Sequence, residues 1–488
     1  MRQLLFLYLD FDNAYLIAMR ILLVFLLFAL QMGAQEKSFK IGVVTDSLMV
    51  SDTLNDSYAL YLPTKFDGKA ALPVIFVFDG EGRGKSAARL FQPPAEQQGY
   101  IIVSSNDIRK EVSLEDNLTS AVRLVQEMSK TIPMDLKNVS FAGFAEGAKV
   151  ATSLPLIFNN SHGVIYVGDQ LFNFGMAEDV KPFTAVGIVG NQQVNLGLME
   201  MSAIQLRAMG YPGILYVFEG GLEWPDPGLV TSAMGDLTLE AIKSKKRSYD
   251  TALVSQLYEQ DIARAEKLIS TGDFLMAHNF LEGLTEKYKG ILPTGGVKDR
   301  LKELLKSKDF REQRELFQEV QEKEERLWND FLYYYDEDIA TANFENLGWW
   351  NFQKLELQKL TEGENKAEAA MAYRLLDLLE RLTREKLVEV EKEDVSLESK
   401  LLAYMLATVF DQKNFEAYKK VISLSTMDND YSTALFFLEE MLKNGFKDLD
   451  ALYEIEGTLG IKLNREYNWI IKKYLGSSRY FENATSLF

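Results

Sequence analysis

Short continuous apolar runs alternate with amphipathic stretches over the first half of the chain. Val74–Phe78, Ile101–Val103, Val139–Ala142, Val164–Val167, Ala185–Val189 and Ile214–Phe218 are apolar segments of strand length, broken only by single small residues. A strand buried on one face alternates apolar with polar residues, whereas one buried on both faces reads as an unbroken run. These segments therefore predict a parallel sheet with helices on either side. Leu118, Val122, Val125 and Met128 recur at helical spacing and give one covering helix its buried stripe. Upstream, Lys40–Val44, Leu48–Val50 and Tyr58–Leu62 carry shorter strand signals. The pattern predicts antiparallel strands leading into a mostly parallel, doubly wound α/β sheet that ends near residue 245.

After Lys243–Arg247 the strand signal stops, and the remaining chain, 246–488, reads as all-α. Charged stretches such as Lys308–Glu325 are solvated helix faces, and Leu292–Gly296 is the clearest loop. A weak repeat runs through this half. Gly272–Ala277 (GDFLMA) is echoed by Asn429–Ala434 (NDYSTA) and, shortened, by Asn414–Ala417 (NFEA). A turn residue, an aromatic and then an alanine suit the close approach of two packed helices. The pattern resembles the tetratricopeptide repeat, with irregular spacing between copies; an unrelated helical bundle satisfies it too. The aromatic clusters Tyr333–Tyr335 and Trp349–Trp350 also fall here, either as an exposed sugar- or peptide-binding platform or, the favoured reading, as a buried seam between the halves.

The amino terminus reads as an address. Ile21–Leu30 is an unbroken apolar run preceded by Met19-Arg20 and followed by Ala34, the pattern of a secretory signal cut after Ala34. Ten residues are short for a membrane span, and a buried amphipathic helix is the third alternative. Asp10 and Asp12 do not suit a signal's basic start, so the true start is expected at Met19. The expected order is a leader over 1–34, an α/β domain over 35–245 and a helical domain over 246–488. The mature protein is expected to be exported, periplasmic or extracellular, with no integral membrane anchor after cleavage.

Composition narrows the chemistry. Among 488 residues there is no cysteine, so thiol nucleophiles, disulfides, thiolate metal sites and a lipid-bearing cysteine are excluded. Two histidines leave little for a His-rich metal site or a general base, and no metal is expected. A net charge of −18 argues against nucleic acid as a partner. The Gly-rich loop Asp79–Gly84 lacks the spacing of either nucleotide-binding motif, so no cofactor is expected.

The most informative stretch is Val139–Ala148 (VSFAGFAEGA), a strand running through G-x-x-x-G into a helix. It resembles the nucleophile elbow of the α/β-hydrolase family, whose pattern is G-x-S-x-G. Gly143 and Gly147 are retained, but Ala145 stands at the nucleophile position, and a methyl group has no lone pair with which to attack a carbonyl. The resemblance extends over about 55–245. Gly220–Pro225 (GGLEWP) is similar to the G-G-H-x-W-P of secreted esterase-like members, with Leu222 at the general-base position. Gly190–Asn195 (GNQQVN) is similar to their G-x-x-D-x-N, with Gln193 at the acid position. The resemblance thus implies a hydrolase fold whose three catalytic positions have all changed.

Two carboxylates are candidate substitutes. Glu146 follows the vacated nucleophile, and Asp169 follows a strand at the sheet's carboxyl end; as ordinary residues they would be a helix-start charge and a loop cap. His162 is expected at the amino end of the sheet and His278 as a packing or capping residue in the helical half. Asp79, Gly80, Glu81 and Gly82 stand where the family places its oxyanion loop, and their glycines would make the loop pliable, or simply a solvent-exposed turn. Three functions remain open: an exported, catalytically silent homologue that binds a small molecule or protein, an active hydrolase of esters or peptides with a non-standard residue set, and a helical protein-interaction scaffold.

Overall fold

The computed structural model describes residues 39–51, 55–169, 180–392 and 395–481. The expected leader over 1–34 lies outside them. Among the described residues no helix is long and apolar enough to cross a membrane.

The first half forms β1 (Thr45–Met49), β2 (Ser57–Tyr61), β3 (Leu72–Asp79), α1 (Gly84–Gln98), β4 (Ile101–Ser105), α2 (Leu114–Thr131), β5 (Met134–Phe144), α3 (Glu146–Ile157), β6 (Gly163–Val167), β7 (Thr184–Gly190), α4 (Leu196–Ala208), β8 (Gly213–Phe218) and α5 (Pro227–Lys243). The strands make one sheet in the order β1-β2-β4-β3-β5-β6-β7-β8. β2 pairs antiparallel with β1 and with β4, and every pair from β4 to β8 is parallel. Lys40–Val44, expected as a strand, lies outside the sheet except that Gly42 bonds to Leu62; Ile41 and Val43 are half-exposed and have no apolar face to join.

Both sheet faces are buried. Ile75, Val77, Ile102, Ile165 and Val186 pack under α1 and α5, while Val74, Phe76, Phe78, Val103 and Val164 pack under α2, α3 and α4. The alternation within Val74–Phe78 is the two-residue period of a strand, and burial on both sides is why no polar residue interrupts it. α2 buries Ala121, Leu124, Val125 and Met128, with Leu118 and Val122 at the edge of the stripe.

The helical half comprises α6 (Thr251–Ser270), α7 (Phe274–Lys287), α8 (Gly295–Lys306), α9 (Lys308–Thr341), α10 (Leu347–Thr361), α11 (Lys366–Lys392), α12 (Leu397–Phe410), α13 (Phe415–Met427), α14 (Tyr431–Lys443) and shorter helices ending at Leu475. The change of composition at 245 marks the end of sheet-forming sequence, but the core continues. Leu253, Leu257, Ala277, Leu281, Val297 and Phe310 belong to the same buried cluster as Ile75 and Val77. A buried ion cluster fastens this junction. The Lys287 ammonium lies 2.9 Å from Asp261 and 3.5 Å from Asp236, while Tyr288 and Tyr216 donate to those carboxylates at 2.7 and 2.6 Å.

The repeated alanines Ala277, Ala417 and Ala434 are all fully buried near the starts of their helices. The aromatic clusters divide. Trp350 and Tyr335 are core residues of the helical half, Tyr333 and Tyr334 point outward, and Val194 is the one sheet-side residue packed on that core among the described residues. A seam between the halves is therefore not what these rings form; three consecutive helical residues cannot all face one way, and Tyr335 took the inner position.

Candidate functional site

The elbow lies on the central strand. β5 ends at Phe144, Ala145 makes the turn, and α3 begins at Glu146. Ala145 has φ 52° and ψ −121°, the geometry of the first central residue of a type II′ turn, which glycine adopts without strain and alanine does not. Its two glycine neighbours are required by contact. A Cβ on Gly143 would lie 2.0 Å from the Gly147 carbonyl oxygen, and one on Gly147 would lie 2.1 Å from that of Phe78. The turn can be this tight only because both side chains are absent.

Gln193 and Leu222 meet beside it. The Ala145 amide donates to the Val167 carbonyl at 3.0 Å, which sets Ala145 against the end of β6. At the next residue, Gly168, an added Cβ would lie 2.5 Å from Leu222 Cδ1 and 3.0 Å from Gln193 Nε2. Ala145, Gln193 and Leu222 thus surround the Val167–Gly168 peptide at the carboxyl ends of the strands. None is able to form a nucleophile–base pair. Gln193 is buried, and its Oε1 accepts from the Gly190 amide at 3.1 Å, so it closes its own loop. Leu222 is 58 % exposed and carries no proton-transfer group.

Neither histidine is near. His162 sits at the opposite, amino end of β6, buried, with its ring Nε2 2.8 Å from the Leu237 carbonyl and Nδ1 3.4 Å from Lys246 Nζ. Nε2 is the ring donor in this arrangement, because Nδ1 faces an ammonium. Burial pushes its pKa down to about 4, and Lys246 adds to the shift against the opposing Leu237 bond. His278 stacks on Phe310 within the helical half, with ring centroids 5.3 Å apart.

The Asp79–Gly84 loop is pinned rather than pliable, and Asp79 is buried rather than at a solvent-exposed turn. Its carboxylate accepts from the Glu81 amide at 2.8 Å, from Arg83 Nε at 3.2 Å and from Trp224 Nε1 at 2.8 Å. Trp224 also stacks on Phe144, with centroids 5.3 Å apart, and meets Phe91 edge-on. The indole of the GGLEWP motif thereby ties the β8 loop to the β3 loop across the elbow. Three amides of the loop are already bonded: Gly80 donates to Phe144, Glu81 to Asp79 Oδ1 and Gly82 to the Asp79 carbonyl. Oxyanion stabilisation needs amides aimed at the substrate oxygen, and these three are aimed elsewhere.

The substitute carboxylates are joined by a cation. Lys149 Nζ lies 2.8 Å from Glu146 Oε2 and 3.6 Å from Asp169 Oδ2. Burial lowers the Lys149 pKa, but the hydrogen bond to Glu146 and the charge of Asp169 outweigh it, and the net direction is up. Among the described residues no group of three or more acidic or histidine side chains is placed to hold a metal ion.

One feature left no trace in the sequence. The helical half grips the loop carrying Gln193: Arg374 on α11 donates to the Asn191 carbonyl while its Nε bonds Glu324 at 2.6 Å. Arg381 donates to Asn195 Oδ1 at 3.1 Å, and Asn195 Nδ2 in turn donates to the Gly168 carbonyl at 3.2 Å. A hydrogen-bonded path therefore runs from α11 to Gly168, beside Ala145, Gln193 and Leu222. Its residues lie some 180 positions apart in the chain, and no local pattern announces them.

A doubly wound sheet with a strand–turn–helix elbow on its central strand defines the α/β-hydrolase fold, here followed by an all-α region. No protein-family model matches the chain, and no curated protein matches it. Similar solved structures include EstE1, a thermophilic carboxylesterase from a metagenomic library, at 13 % identity over 44 % of this chain and 91 % of that one, with a TM-score of 0.32. An esterase of Pyrobaculum calidifontis is 15 % identical over 42 % and 86 %, with a TM-score of 0.32. The fluorophosphonate-binding serine hydrolase FphF of Staphylococcus aureus is 10 % identical over 40 % and 97 %, with a TM-score of 0.33.

Proposed function

We propose that this chain is an exported, catalytically silent member of the α/β-hydrolase superfamily, which acts by binding through its cleft and its tetratricopeptide-like helices. One observation carries the reading: Ala145 holds the nucleophile's strained geometry, while Gln193 and Leu222, at the acid and base positions, stand beside it without an acid, a base or a hydroxyl. The fold keeps the backbone of the site and not its chemistry. The bonded amides of Gly80, Glu81 and Gly82 support the same conclusion, since none of these three is free to face a restored serine. Glu146 and Asp169 both face Lys149 rather than a hydroxyl nucleophile, which supports the same reading.

Export is proposed from the apolar run Ile21–Leu30 and the small residue Ala34. The binding role places a small molecule or a protein segment at the carboxyl ends of the strands, where ligands of open α/β sheets gather. A fluorophosphonate probe followed by intact-mass measurement tests the silent site. The unmodified mass is expected, and a stoichiometric adduct would show that a reactive hydroxyl exists.

A further inference from the structure

The two ends of the sheet are treated differently. At one end β1 is irregular: its register with β2 shifts between Thr45 and Leu48, and Ser47 has φ 56°. Such distortion blunts an edge against further pairing. At the other end β8 pairs regularly with β7 over all six of its residues. Ala185 donates to the Pro212 carbonyl and Asn191 to that of Phe218, so the even-numbered residues of this strand face β7. The amides and carbonyls of Leu215 and Val217 therefore point away from the sheet. Among the described residues nothing hydrogen-bonds to them, and β8 has no outer neighbour.

This edge lies in a groove. A cavity of about 670 Å³ runs along it, walled by α4 on one side and α7 on the other. The walls differ. α4 contributes Ala203 and Ile204, the latter 62 % exposed, with Glu200 and Arg207 of opposite charge, while α7 contributes Glu282 and Glu286. Over the whole lining, Glu200, Asp236, Glu240, Glu282 and Glu286 outnumber Arg207, Lys243 and Lys287.

We propose that β8 accepts an extended basic peptide segment as a ninth strand, held by the outward main-chain groups of Leu215 and Val217. Successive side chains of such a strand point to opposite faces. Apolar residues then lie against Ile204 and basic residues against Glu282 and Glu286. Alternating apolar and basic residues are the chemistry this groove selects, and the site is independent of the elbow cleft.

A fluorescent heptapeptide of alternating lysine and valine tests the proposal by anisotropy with the whole purified protein. Two further peptides carry N-methyl groups on the lysine amides only or on the valine amides only. Each blocks one edge of the strand and leaves charge and side chains unchanged. The parent peptide is expected to bind, one methylated form to lose about thirtyfold for two missing hydrogen bonds, and the other to bind like the parent. Val217→Pro removes one outward donor without touching the β7 ladder and is expected to weaken binding about fivefold. Glu282→Lys with Glu286→Lys should weaken it further. Equal binding of all three peptides would reduce the effect to bulk charge and overturn the proposal, as would no binding of the parent. A doubled molecular mass that Val217→Pro restores to one chain would overturn it too, because a second copy would then occupy the edge.

Discussion

Replacing Ala145 by glycine should stabilise this protein, although glycine ordinarily destabilises. The residue's φ of 52° and ψ of −121° are strained for any side chain with a Cβ, by about 1–3 kcal/mol. Glycine removes that strain. Against it stand about 0.5–1 kcal/mol of extra unfolded-chain entropy and about 0.4 kcal/mol for a half-buried methyl group. The balance at the middle of these ranges is a gain of about 1 kcal/mol. Urea unfolding followed by tryptophan fluorescence reads it, since Trp224 stacks on Phe144 beside the turn. A loss of about 1 kcal/mol or more would show that Ala145 is relaxed, and the elbow geometry would be wrong.

Three further outcomes are expected. His162 has a folded pKa of about 4 against 6.5 unfolded, so the unfolded chain binds the proton first as pH falls. Stability should be full above pH 6.5 and decline by about 3 kcal/mol as pH drops to about 4, and His162→Asn should flatten that segment of the urea-midpoint profile. Lys287→Met leaves Asp236 and Asp261 buried without their cation and should lower unfolding free energy by about 3–5 kcal/mol; a loss below about 1 kcal/mol would mean the cluster is wetter than its burial implies. Ala145→Ser alone should remain inert toward p-nitrophenyl acetate, because its hydroxyl has no base, and turnover by this variant would reveal one.

The sheet was legible because its strands are buried on both faces. Val74–Phe78 and Ala185–Val189 lie in the predicted strands β3 and β7. Lys40–Val44 misled because an apolar cluster at half-exposed positions has the same composition as a strand. The elbow was legible because its glycines answer a contact requirement, and Gly143 and Gly147 show that contact at 2.0 and 2.1 Å. The pinned loop was not, since the partners of Asp79 include Trp224, 145 positions away. The grip of Arg374 on Asn191 escaped for the same reason, because a carbonyl acceptor leaves no residue-type signature. The core's passage beyond 245 was hidden too, since an apolar helix stripe does not say which partner it packs on.

Steady-state hydrolysis measures most directly whether the elbow does chemistry. The purified protein is assayed on p-nitrophenyl acetate and butyrate between about pH 5 and 9, beside Glu146→Gln and Asp169→Asn. All three proteins are expected to release p-nitrophenol at the rate of buffer alone. Turnover by the unmodified chain that either substitution abolishes would contradict it, and would make the cleft an active hydrolase with a carboxylate base.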